Sequence, residues 1–112
     1  MSFDTATLHP VFVRQLAALA GGDIDELMLN YEPDAALIRY EGVSEGFDAV
    51  KETLTGYLTL NPSMVELLDY AETADTVFYR AIMSIAGAPE KAFGTLILRN
   101  GRIWRQTAGF GA

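Results

Sequence analysis

Two charged residues stand inside apolar runs: Arg39 in ALIRYEG and Asp69 in VELLDYAET. A guanidinium among hydrocarbon side chains needs an anion or water. Free to meet a ligand, Arg39 would hold a carboxylate, phosphate or enolate oxygen through charge-assisted hydrogen bonds. The plainer alternative is a salt bridge to Asp69, Glu41 or Glu66. Asp69 would act as a general base if desolvated, because burial raises a carboxyl pKa; at an open sheet end it would simply be solvated. Tyr57, Tyr79, Thr95 and Gln106 offer hydrogen bonds that orient a ligand, or else pack. Trp104 is a wall or a stacking surface.

Other chemistries lack their residues. The chain has one histidine, His9, placed before Pro10 at a helix start, and no cysteine. Zinc sites need several imidazole or thiolate ligands, so no metal is expected. Ser44, Ser63 and Ser84 lack the flanks of a nucleophile elbow. Gly42-Val43-Ser44-Glu45-Gly46 lacks the lysine of a phosphate loop. No cofactor is expected.

The elements that must position these residues follow from periodicity. Leu8 to Ala20 repeats apolar positions near every 3.6 residues, with Pro10 suited to a first helical turn. Gly21-Gly22 ends it, and Asp23 caps a short second helix from Ile24 to Asn30, with Glu26 at the third helical position. Pro33-Asp34 marks a turn before a strand over Ala35 to Glu41. Gly42 to Gly46 reads as a loop. Phe47 to Leu60 reads as a third helix, stopped by Asn61-Pro62. Val65 to Thr73, Val77 to Ala86, Ala92 to Arg99 and Ile103 to Ala108 are strands. Asn100-Gly101 between the last two is a hairpin turn, since both residues tolerate positive φ.

The segment LAALAGGDIDELMLNYEPDAALIRYEG, the later GFDAVKETLTGY and the ending LRNGRIWRQTAG resemble the nuclear-transport-factor-2-like (SnoaL-like, cystatin-like fold) domains over about Leu8 to Gly109. The resemblance implies an α+β fold in a single domain over 1–112: three N-terminal helices packed on a strongly curved, mostly antiparallel sheet that forms a cone-shaped barrel. It implies a pocket on the concave side. Function on a shared fold lives in the site; isomerases, cyclases, lyases and non-catalytic binders share this one. The ketosteroid isomerases of the fold use a tyrosine, a carboxylate base and a protonated aspartic acid. Those places fall here on Gln15, Arg39 and Thr95, so that isomerisation is not expected.

The family's strand registration would put Arg39, Leu67, Asp69, Tyr79, Ala81, Met83, Thr95, Trp104, Gln106 and Phe110 on the pocket side. Gln15 and Tyr57 would join them from the helices. Ile38, Tyr40, Leu68, Phe78, Ile82, Leu96, Leu98 and Ile103 would form an apolar convex face. Such a face needs a cover, and a second copy across a twofold axis supplies it. A homodimer through the convex sheet face is therefore expected, with a small apolar or carbonyl- or carboxylate-bearing ligand in the pocket. The alternative is a non-catalytic dimerisation module whose cone is plugged by Met83, Phe93, Trp104 and Phe110.

Bulk properties narrow the partners. The chain has 112 residues, half of them hydrophobic, and a net charge of −7. That charge disfavours a phosphate-backbone binder, which needs a basic face. Arg99, Arg102 and Arg105 form the only local basic cluster and read as hairpin solubilisation. No apolar run is long enough to span a bilayer. MSFDTATLHP has no basic start, so no signal peptide is expected. With no disulfide to form, a cytoplasmic location is the simplest expectation.

Overall fold

The computed structural model describes residues 5–111. A 3-10 turn, Thr5–Thr7, precedes helix α1, Pro10–Gly21. Pro10 starts α1 without wasting an amide donor, and His9 Nδ1 accepts the free amide of Val11 at 3.2 Å. Gly22 ends the helix in the left-handed region at φ 69°, where a glycine has no Cβ to clash. Helix α2, Ile24–Met28, is capped by Asp23, whose Oδ1 accepts the amides of Asp25 and Glu26 at 2.9 and 3.3 Å.

Strands β1, Tyr31–Arg39, and β2, Gly42–Glu45, form a hairpin. Helix α3, Phe47–Leu58, follows, and then β3, Ser63–Glu72; β4, Thr76–Ile85; β5, Ala88–Arg99; and β6, Arg102–Phe110. The six strands form one sheet in the order β2-β1-β6-β5-β4-β3. Only the β1–β6 pair is parallel. The three helices cover one face of this curled sheet, and β2 and β3 are its two edges, so the barrel is not closed. Among the described residues no helix is long and apolar enough to cross a membrane.

Three sequence readings shift. Gly42 to Gly46 is not a loop: its first four residues pair with β1 as an edge strand. Pro33-Asp34 lies within β1, at a break in the β1–β6 register between Tyr31 and Ala36. Pro33 has no amide to give a ladder, which is tolerated where the ladder is interrupted. The turn between β4 and β5 is only Ala86-Gly87, both at positive φ, and pairing continues through Ala88, Pro89 and Glu90. Asn100 and Gly101 form the expected hairpin turn, at φ 56° and 72°.

The core lies between helices and sheet. Phe12, Val11, Leu27, Val50, Val77, Leu96 and Ile103 are almost fully buried. The Phe12 ring meets Tyr79 and Tyr70 at centroid separations of 5.0 and 5.4 Å, tilted as aromatic quadrupoles prefer. This packing pins α1 over β3 and β4.

Candidate functional site

Between the helices and the sheet lies a cavity of about 760 Å³, lined in part by Phe12 and Tyr79. The strand register shows how it is built. Leu37 of β1 pairs with Gln106 of β6, and Gln106 with Leu96 of β5. Tyr79 of β4 pairs with Gly94. From this inner row the walls run to a mouth at Arg39, Ile85, Ala92 and Phe110, roofed by α1 through Gln15, Leu16 and Leu19 and by α3 through Leu54 and Tyr57. The lining is mainly aliphatic.

Its polar groups fall into two sets. At the inner end, Gln15 and Gln106 line the cavity and belong to a directed hydrogen-bond chain of five residues, whose other members, Arg14, Asn30 and Tyr31, are not part of the lining. Arg14 Nε donates to Asn30 Oδ1 at 3.2 Å. Asn30 Nδ2 donates to Gln15 Oε1 at 3.1 Å and to the Val11 carbonyl at 3.0 Å. Gln15 Nε2 donates to the Tyr31 hydroxyl at 2.8 Å, and that hydroxyl donates to Gln106 Oε1 at 2.5 Å. Gln15, Asn30, Tyr31 and Gln106 are all buried, and buried polar groups must be paired in this way. Burial pushes the Tyr31 phenol far above its ordinary value, against the lowering effect of its hydrogen bond from Gln15. It is a neutral donor, not a titrating acid.

At the mouth stands Arg39. Its side chain is one-third exposed, and its nearest carboxylate is Glu41, 3.9 Å from a terminal guanidinium nitrogen. That spacing is too long for a hydrogen bond. Arg39 Nε is shut off from solvent and has no partner among the described residues. Ser44 and Thr53 share a 2.7 Å hydroxyl bond beside it, and Glu41 and Glu52 complete the rim. Burial raises the Tyr57 and Tyr79 phenols to about 12, with Tyr57 adding to the effect on Tyr79.

Gln15, Arg39, Tyr57, Tyr79 and Gln106 therefore line one cavity; Asp69, Thr95 and Trp104 do not. Asp69 faces outward because β3 breaks register between Leu67 and Asp69. The extra residue resets the alternation, so Tyr70 rather than Asp69 shares the inner face with Tyr79, its partner on β4. Asp69 instead pairs with Arg80, at 2.5 and 2.6 Å. Thr95 pairs with Phe78 and Thr107 on the outer face, next to Leu96 on the inner one. Trp104 falls in the irregularity that lets Ile97 pair with Arg105 and Leu98 with Ile103. Its ring lies 4.0 Å from the Arg105 guanidinium and 5.0 Å from that of Arg99. Leu96, Leu98 and Ile103, expected on the convex face, are buried in the core.

Sequence reasoning missed Tyr31, Asn30, Glu41, Ser44, Glu52 and Thr53. The signal for Tyr31 was present: Gln15 on the apolar stripe of α1 and Gln106 in an apolar strand are amides that demand a buried partner. No group of three or more histidine, aspartate or glutamate side chains among the described residues is placed to hold a metal ion.

No protein-family model matches the chain, and no curated protein does. Solved structures do. A polyketide cyclase candidate from Sinorhizobium meliloti superposes with a TM-score of 0.81 at 21% identity, covering 96% of this chain and all of the other. An NTF2-like protein of unknown function from Cytophaga hutchinsonii gives 0.77 at 14% identity, covering 99% and 93%. TerC, co-crystallised with polyporic acid, gives 0.75 at 18% identity, covering 90% and 88%. The chain has the NTF2-like, cystatin-like fold.

Proposed function

On an NTF2-like fold with an open apolar cavity, we propose that this protein binds a small, mainly apolar molecule, with Arg39 as the polar anchor at the mouth. One observation carries the reading: a cavity of about 760 Å³ with a guanidinium nitrogen at its wall that is buried and unpaired. That volume lies within the range of roughly 300–1,000 Å³ of small-molecule sites. A cone plugged by its own side chains would leave no such space: Met83, Phe93 and Phe110 line the cavity, and Trp104 stacks on arginines elsewhere. TerC, with its polyporic acid, is a precedent for a ligand on this fold. Isomerase, cyclase or lyase chemistry would need a base; the rim offers Glu41 and Glu52 in place of Asp69.

The test is titration with Nile red, a neutral dye that brightens in apolar surroundings. One dye per chain should bind with a blue shift. Ala49→Phe, which fills the cavity from α3, should abolish binding while leaving the melting temperature within a few degrees. Dye that stays in water, or binds Ala49→Phe equally well, contradicts the reading.

We further propose a homodimer through the outer sheet face. Ile38, Phe78 and Ile97 are 43%, 53% and 38% exposed there, around the Thr95–Thr107 pair and beside the Arg80–Asp69 ion pair. A self-complementary patch with apolar centre and charged edge suits a twofold contact. Phe78→Glu should turn a dimer into a monomer in sedimentation; a wild-type monomer at high concentration would contradict the proposal.

A further inference from the structure

The ligand site proposed above has a polarity of its own, and it comes from outside the cavity. Arginine can only donate hydrogen bonds. Arg14 Nε therefore forces Asn30 to present its oxygen to it and its amide nitrogen to Gln15. Gln15 then receives on oxygen and must give its own nitrogen to the Tyr31 hydroxyl. That hydroxyl, with one acceptor position so used, passes its proton to Gln106 Oε1. Every amide in the chain is oriented by the residue before it. The last member, Gln106, has its oxygen engaged by Tyr31, which leaves Nε2 as the group it offers to the cavity it lines. The inner end of the cavity is a hydrogen-bond donor, and it cannot flip without breaking the chain back to Arg14.

The mouth is a donor as well. Arg39 lines it with a side chain one-third exposed, and Glu41, 3.9 Å from a terminal guanidinium nitrogen, is beyond hydrogen-bond range. Leu37 is paired with Gln106 and Arg39 lies two residues further along β1, so the backbone positions of the two donors are offset by about 7 Å along the strand and by one strand spacing across the sheet. The wall between them is aliphatic.

Resting on the pocket reading, we infer that the ligand is an apolar oxo acid: a carboxylate or enolate at Arg39, and a neutral carbonyl oxygen directed inward to Gln106 Nε2. Neither donor could hold a cation, since both give hydrogen bonds at these positions and receive none. A second negative charge is disfavoured at the inner end, where the donor is a neutral amide in apolar surroundings.

The probe is benzoylbutyrate, which carries a carboxylate and an aryl ketone separated by three methylenes. Its comparators are phenylvalerate, which lacks the ketone, and the methyl ester of benzoylbutyrate, which lacks the charge. All three are measured by calorimetry and by Nile red displacement. The acid should bind at least about tenfold more tightly than either comparator, the size expected when a buried donor gains or loses its acceptor. Arg39→Gln should erase the advantage over the ester and keep the advantage over phenylvalerate. Gln106→Met should do the reverse, with circular dichroism confirming that it folds. If Nile red binds but the three compounds compete equally, the pocket stands and this inference is overturned. If neither dye nor acid enters, the pocket reading fails and takes this inference with it.

Discussion

The Tyr31 hydroxyl and the side-chain oxygen of Gln106 lie 2.5 Å apart, joining the first strand to the last beneath the cavity. The same hydroxyl accepts from Gln15 on α1, so one oxygen ties two strands and a helix together. Tyr31→Phe removes it and leaves two buried amide groups without a partner. The expected loss is about 1–3 kcal/mol of stability, read from urea denaturation. A Tyr31→Phe variant as stable as wild type would mean the amides pair elsewhere.

Gly94 is a second fixed point. A Cβ there would stand 2.6 Å from the Thr107 carbonyl and 2.8 Å from the Tyr79 hydroxyl. The carbonyl belongs to the backbone of the neighbouring strand and cannot give way cheaply. Gly94→Ala should cost about 1–3 kcal/mol. Gly56→Ala, in α3 with nothing within 4 Å of the new atom, should instead gain about 0.5–1 kcal/mol from helix propensity. Opposite signs in one denaturation series are the expected result.

Tyr79 also sets an alkaline limit. Burial raises its phenol from 10.0 to about 12 in the folded protein. A raised folded-state pKa means the native state holds the proton more tightly than the unfolded chain. Its contribution is therefore complete below pH 10 and disappears as pH rises through about 12. Thermal unfolding followed from pH 9 upward should show a falling melting temperature across that window. Tyr79→Phe removes one of the raised phenols while Tyr57 and Tyr70 keep theirs, so the fall should become shallower without vanishing; an unchanged slope would locate the alkaline transition elsewhere.

Trp104 is the chain's single tryptophan, and it stacks on Arg105 and Arg99 rather than on the cavity. Trp104→Phe should change Nile red affinity by less than about twofold, since distant sites act additively. A tenfold loss would return Trp104 to the ligand site.

The order of helices and strands was legible because periodicity, caps and the Asn100-Gly101 turn are local signals. So were the cavity positions of Arg39, Tyr79 and Gln106, which line the cavity on the face that the resembled family's strand registration gives them. Asp69 and Trp104 were misplaced because each lies at a register break, and a single extra residue exchanges the faces without changing the composition. Thr95 was misplaced for another reason. The inner row of β5 is Ala92, Gly94, Leu96 and Leu98, where two small residues make room for Tyr79 and the cavity. Thr95 has the opposite parity, so a family registration carried one residue out of step placed it inside. The chain from Arg14 to Gln106 was illegible, since its members meet only through tertiary packing.

The most direct test of the central claim is a crystal structure grown with saturating benzoylbutyrate. The account predicts the ligand inside the walls of β1, β4, β5 and β6, its carboxylate within hydrogen-bond distance of the Arg39 guanidinium and its ketone oxygen on Gln106 Nε2. A cavity collapsed onto Met83, Leu60 and Phe110, or left without ligand while Arg39 turns to solvent, would contradict it.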